Sequence, residues 1–325
     1  MNLLRAVGLA RSYAGRVALR DFDLSVSPGE VVGLLGLNGA GKTTAISILA
    51  GVLRPDRGSV EVDGRDLLRE PLLAKRALGL VPQELALYAD LSVAENLRFF
   101  GRLRGLRGRE LEASLAYALS AVELVDRARD PVRELSGGMQ RRINVAVGLL
   151  GSPRLLILDE PAVGVDALSR AQLFQLVQRL AQVENLGILY TSHYLEEVAA
   201  LCTRLVILHQ GRIVAQGRLD ELASRVGEES VELEVDGPLD ALAAVLSAQR
   251  VQRAAGERLV LASPHDLAPL VATIEAHGGR LKQLRVLGRD LESLFLRYTG
   301  VEAEHLPSAV PAAAAAAAAR EEVRR

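Results

Sequence analysis

The stretch from Val31 to Thr44, VVGLLGLNGAGKTT, constrains the fold more than any other part of the chain. An apolar run leads into Gly36, Gly39 and Gly41 and then into Lys42 and Thr43, a pattern that predicts a strand, a phosphate loop and a helix. The spacing Gly36-x4-Gly41-Lys42-Thr43 lets backbone N–H groups curve around a phosphate, because only positions without side chains allow that curvature and approach. The candidate cradle runs through Gly36, Leu37, Asn38, Gly39, Ala40, Gly41, Lys42, Thr43 and Thr44. The following helix aims its positive end at the same anion. Lys42 would reach the β and γ phosphates, and the Thr43 hydroxyl would hold Mg²⁺.

Composition sharpens this reading. The chain has only three lysines, Lys42, Lys75 and Lys282, and otherwise uses arginine, so an ammonium in the loop reads as required. With 39 basic and 40 acidic residues there is no basic surplus, which argues against a nucleic-acid partner. Trp is absent and aromatics make up 3% of the chain, so the core is expected to be aliphatic. Cys202 stands alone, excludes an internal disulfide, and reads as a small buried hydrophobe rather than a reactive thiol. The N-terminus lacks a signal-peptide pattern, and no apolar stretch is long enough to span a membrane. The chain is therefore expected to be soluble alone and to reach a membrane only through a partner.

Taken in order, residues 2 to 35 carry three short strands, with Tyr13 in the first gap as a candidate for stacking on a purine. A helix is predicted from Lys42 to about Leu53, and LGLVP is a strand ending at Gln83. From 84 to 133 the character is helical: Ser92 and Glu95 form a capping box, and Arg98, Arg102, Arg104, Arg107 and Arg109 read as a solvated face. Ser136 then caps another helix, and Gly137 and Gly138 leave its first N–H groups bare as a second anion site. LLILDEP places Asp159 and Glu160 at the carboxyl edge of a buried strand, and GILYTS delivers His193 to the same edge. A hairpin turning at Gln210 and Gly211 closes the first domain. Strands and helices then alternate over 227–300 as a small α+β domain, with a helix in LDALAAVLSA. The Ala-rich segment 301–325 is expected to be disordered.

Together these motifs resemble the nucleotide-binding subunit of ABC transporters, over about Leu3 to Leu222. GLNGAGKTT is similar to that family's Walker A, Gln83 to its Q-loop, LSGGMQ to its signature, LLILDE to its Walker B, Asp166 to its D-loop and His193 to its H-loop. PAVGVDA lacks the Ser/Thr and Pro of many D-loops. It resembles the variant of the bacterial ABC-2 exporter branch, as do YTSHYLEEV, LYADLSVAENL and the terminal DLESLFLRYTG.

The resemblance implies a P-loop NTPase of the ABC type over 1–226, α/β in class: a mixed sheet core with an antiparallel β subdomain and a helical subdomain at about 84–133. It implies ATP and Mg²⁺ as cofactors, with Asp159, Thr43 and Gln83 around the metal, Glu160 polarising water and His193 on the γ phosphate. Ser136, Gly137, Gly138 and Gln140 would serve a nucleotide held by a second copy or a related chain. It further implies an ABC-2 type membrane permease as partner, at the cytoplasmic face of a bacterial membrane, with 83–109 facing it. The alternative is a soluble ABC ATPase acting on ribosomes or DNA. That class carries two cassettes or a long coiled coil between Walker A and signature, and this chain has neither. A regulator that binds without hydrolysing is disfavoured by Glu160 and His193.

Overall fold

The computed structural model of the chain describes residues 2–225, 230–236, 251–253, 258–262, 268–287 and 291–299. The chain divides between Leu219 and Asp220 into two compact units.

The first unit opens with a hairpin, β1 (Leu4–Tyr13) and β2 (Arg16–Val26), followed by β3 (Val31–Leu35) and α1 (Lys42–Leu49). After these come β4 (Arg57–Val62), β5 (Arg65–Asp66), α2 (Pro71–Arg76) and β6 (Leu78–Val81). The helical stretch holds α3 (Val93–Leu103), α4 (Gly108–Ala121) and α5 (Gly137–Leu149). Then β7 (Leu155–Asp159), α6 (Ala167–Gln182), β8 (Gly187–Ser192), α7 (Leu195–Leu201), β9 (Arg204–His209) and β10 (Arg212–Gly217) complete the unit.

Two sheets result. One is antiparallel, in the order β2-β1-β4-β5; the other runs β10-β9-β3-β8-β7-β6 and is parallel except for β10. The inner strands β3, β7 and β8 are apolar up to their carboxyl ends because successive side chains point to opposite faces and both faces are covered. Leu155, Ile157, Leu189 and Val206 face a core shared with the antiparallel sheet and α1. Leu156, Leu158, Ile188 and Tyr190 face a second core shared with α3, α4, α5 and α6. These layers bring the carboxyl ends of β3, β7 and β8 to one edge, adjacent in register: Leu35 beside Ser192, and Asp159 beside Thr191.

Local signals account for most boundaries. Ser92 caps α3 with the complete box, its side chain accepting from Glu95 N while Glu95 Oε2 accepts from Ser92 N at 2.8 Å. The helix after the loop stops at Leu49 rather than near Leu53, since Gly51 takes the left-handed conformation with φ 65°. Arg104, grouped by sequence with a solvated basic face, instead turns inward and donates to Leu78 O at 2.8 Å. That bond ties the helical stretch to β6, and burial pushes its guanidinium below the ordinary value. Cys202 is partly buried against the core, and its thiol is pushed up by desolvation, in keeping with an inert packing role.

Among the described glycines, Gly79 on β6 marks the tightest approach to backbone, since a Cβ there would lie 2.2 Å from Gly148 O of α5. Gly79→Ala is expected to destabilise the fold by about 1–3 kcal/mol, read from the urea midpoint. An unchanged midpoint would contradict this contact.

The second unit has α8 (Leu219–Arg225), most of which it contains, then β11 (Ser230–Asp236), β12 (Val251–Arg253), β13 (Arg258–Ala262), α9 (Ala268–Ala276), β14 (Arg280–Leu287) and α10 (Leu291–Thr299). Its sheet is antiparallel in the order β12-β13-β11-β14. Leu233, Val235, Ile274, Leu294 and Phe295 are buried in it. The strand at 251–253 was not expected from sequence. The helix read in LDALAAVLSA and the tail 301–325 lie outside the described residues.

Candidate nucleotide site

A hollow of about 840 Å³ opens over the phosphate loop. Leu37, Asn38, Gly39, Gly41, Lys42, Thr43 and Thr44 line its floor, and Gln83, Glu160 and His193 come from the ends of three strands. Tyr13, Arg16, Val17 and Ala18 of the hairpin and Gln210 and Gly211 of the β9–β10 turn form the remaining wall. Gly36 and Ala40 belong to the loop without lining the hollow. Gly36 must be glycine because a Cβ would meet Leu208 O at 2.6 Å, and Gly41 combines φ 109° with a similar approach to Ala18 O.

Three polar side chains, Lys42, Glu160 and His193, meet under this floor. Lys42 is buried; its Nζ donates to Gly36 O at 2.7 Å and lies 3.3 Å from Glu160 Oε1. The other carboxylate oxygen, Oε2, is 3.0 Å from His193 Nδ1, close in distance but not aligned as a full hydrogen bond. The His193 ring first, then Lys42, hold the Glu160 carboxyl below the usual range against the opposing effect of burial, so it is ionised at neutral pH. Glu160 also has φ 44°, a left-handed conformation uncommon for a residue with a side chain.

Asp159, one residue earlier, does not line the hollow, and burial pushes its carboxyl up. Thr191, fully buried, joins the two acids: its Oγ1 accepts from Glu160 N at 2.9 Å and donates to Asp159 Oδ1 at 2.7 Å.

Glu197 performs a related service for His193. Buried on α7, its Oε2 accepts from Tyr190 OH at 2.9 Å and from Ser192 Oγ at 2.8 Å, and Ser192 Oγ accepts from Tyr194 N. Both residues flanking His193 are thereby fixed. Sequence reasoning missed Thr191, Glu197 and Arg16. Two of them are polar residues in apolar surroundings, and Arg16 follows Tyr13 across a tight turn, which are the signals that were available.

The second candidate anion site lies elsewhere. Ser136 caps α5 and accepts from Met139 N at 3.3 Å, while Ser136 and Gly137 are exposed and Gly138 packs on Ser169. None of the three lines the hollow over Lys42. Gln140 Nε2 is committed to Val132 O and Leu135 O at 3.1 and 3.0 Å, which holds the loop leading to Ser136. Asp166 caps α6, accepting from Ser169 N at 2.9 Å. Tyr13 is exposed, with the Arg11 guanidinium 5.1 Å from its ring centre.

Comparison with known proteins bears on this arrangement. Residues 19–163 match the ABC transporter family. The chain is 39% identical to the linearmycin resistance ATP-binding protein of Bacillus subtilis (strain 168), over 92% of this chain and 98% of that one. It belongs to the ABC transporter ATP-binding family. The daunorubicin resistance ATP-binding protein DrrA3 of Streptomyces coeruleorubidus is 37% identical, over 89% of this chain and 90% of its own length. A solved ATP-binding subunit of an ABC transporter superimposes with a TM-score of 0.61 at 31% identity, covering 75% of this chain and 99% of that one. As a member of the ABC family the chain is an ATP-binding ATPase with the α/β fold of a P-loop NTPase.

Proposed function

We propose that this ABC ATPase drives export, working as a pair of cassettes arranged head to tail on a separate membrane permease of the ABC-2 type. The hollow contains one half of a hydrolytic site, and Ser136 and Gly137 stand exposed outside it. That separation is the observation that carries the reading. Each ATP then lies between the Lys42 loop of one chain and the Ser136–Gly138 helix start of the other.

In this reading Lys42 leaves Glu160 for the phosphates, and His193 follows to the γ phosphate. Glu160, freed on both sides, takes the proton of the attacking water. Tyr13 stacks on the adenine and Arg16 faces the phosphates or ribose. Thr43, Gln83 and Asp159 suit Mg²⁺, being oxygen donors for a hard cation. Asp159, pushed up by burial, has no ion pair among the described residues, a deficit that a divalent ion offsets. Bound there, the ion supplies charge neutralisation on the phosphate oxygens.

Export is supported by the relatives, whose names are resistance ATP-binding proteins and which match along nearly all of their length. No helix among the described residues is long and apolar enough to cross a membrane. Leu85, Tyr88, Phe99 and Leu103 are exposed around α3, with Tyr88 and Phe99 edge to face at 4.9 Å, and offer the permease an apolar landing. In this reading the chain works at the cytoplasmic face of the membrane, held there by its permease.

Vesicle flotation tests this. The chain is expected to float with vesicles that hold its membrane subunit and to stay behind with bare vesicles of the same lipid. Equal binding to bare lipid would contradict a permease-borne attachment.

A further inference from the structure

Arg141 is a buried cation with no anionic partner. It is 7% exposed, no carboxylate lies within ion-pair distance among the described residues, and burial pushes its guanidinium below the ordinary value. A charge so placed is costly, and an apolar side chain of the same length would fill the space at less expense.

Its bonds show what the charge does. Nη1 donates to Gln83 O at 2.7 Å, and Nη2 donates to Val163 O at 3.2 Å. Val163 N in turn donates to Glu160 O at 3.3 Å. Almost one turn further along α5, the buried Asn144 donates to Pro82 O at 3.1 Å, so two side chains on one helix face grip the same loop. The helix that carries both begins at Ser136.

We propose that Arg141 is a positioning residue that carries the state of the Ser136–Gly138 surface to Gln83 and Glu160 of its own chain. The inference rests on the head-to-tail reading, in which that surface touches the partner's nucleotide. A planar fork bonded to two carbonyls fixes both loops relative to one rigid helix, which a single flexible ammonium cannot do. When a nucleotide docks on the helix start, the loop bearing Gln83 and the loop after Glu160 move with it. Occupancy of one site thereby sets the geometry of the other, at a coupling strength ordinary for linked sites.

The test compares Arg141→Met and Arg141→Lys with the natural chain in two assays: ATP occlusion, measured with Glu160→Gln added, and steady phosphate release, measured without it. Arg141→Met is expected to occlude ATP within about twofold of the Glu160→Gln parent and to lose about tenfold or more in turnover per occluded nucleotide. Arg141→Lys, keeping the charge and one bond, is expected to fall between. A merely structural role would lower occlusion and turnover in proportion, because both follow the folded fraction. Natural turnover per occluded nucleotide in Arg141→Met, or a proportional loss in both assays, overturns the proposal. Should Arg141→Met fail to fold, Arg141→Lys decides alone: a loss of about fivefold sustains the inference and natural turnover removes it. Failure of Glu160→Gln by itself to occlude ATP strikes the head-to-tail reading first, and the transmission from Ser136–Gly138 falls with it.

Discussion

Glu160→Gln is expected to bind ATP, to stall with the nucleotide enclosed, and to accumulate as a dimer. The carboxylate sits between Lys42 at 3.3 Å and His193 at 3.0 Å and is held ionised by both. An amide fills the same volume but cannot accept a proton from water, so the loss falls on the chemical step, about 10²–10⁴-fold for a general base. Binding is spared, or improves, because Lys42 and His193 no longer face a competing negative charge when the phosphates arrive. Phosphate release and gel filtration in the presence of ATP check both halves. Hydrolysis near the natural rate would remove Glu160 from its role.

Lys42 is bonded to Gly36 O and paired with Glu160, so the phosphates of ATP must replace these internal contacts. Part of the binding energy is spent on breaking them, in exchange for contacts that put Glu160 at the disposal of water.

Features coded locally were legible before any coordinates. The Gly36-x4-Gly41-Lys42-Thr43 loop, the Ser92–Glu95 box, the Ser136 cap and the Gln210–Gly211 turn each depend on residues a few positions apart. The buried strands were equally plain, since a strand covered on both faces is apolar throughout. Thr191, Arg141 and Glu197 were not, for two different reasons. Thr191 and Arg141 bond to groups 31 and 58 residues distant, and only the packing of β7 beside β8 and of α5 against the Gln83 loop brings those partners in. Glu197 bonds within its own neighbourhood, but a glutamate near a helix start ordinarily reads as solvent-facing, and its burial follows from how α7 packs. The inward turn of Arg104 escaped notice for the same reason, because an arginine amid four others looks solvated until the helix is docked. Hairpin residues such as Arg16 and Ala18 reach the site through the packing of one sheet on the other.

Lys42→Ala is expected to weaken ATP binding itself, by about tenfold to a hundredfold, the scale of losing hydrogen bonds from a charged donor. It also leaves the Glu160 carboxylate without its closest cation, so negative charge then faces the incoming phosphates. Ser136→Arg fails for a different reason: the bulky cation blocks the helix start that a chain offers to its neighbour, while its own Lys42 loop is untouched.

This pair makes the decisive measurement, which is ATP occlusion by mixtures of the two. Each homodimer has two defective sites and should occlude nothing. In a mixed dimer one site combines the intact Lys42 loop of the Ser136→Arg chain with the intact Ser136 surface of the Lys42→Ala chain, and the other site carries both defects. Mixing should therefore recover occlusion, up to one nucleotide per mixed dimer. Mixed dimers that form and occlude no ATP at any ratio would contradict a site shared between two chains.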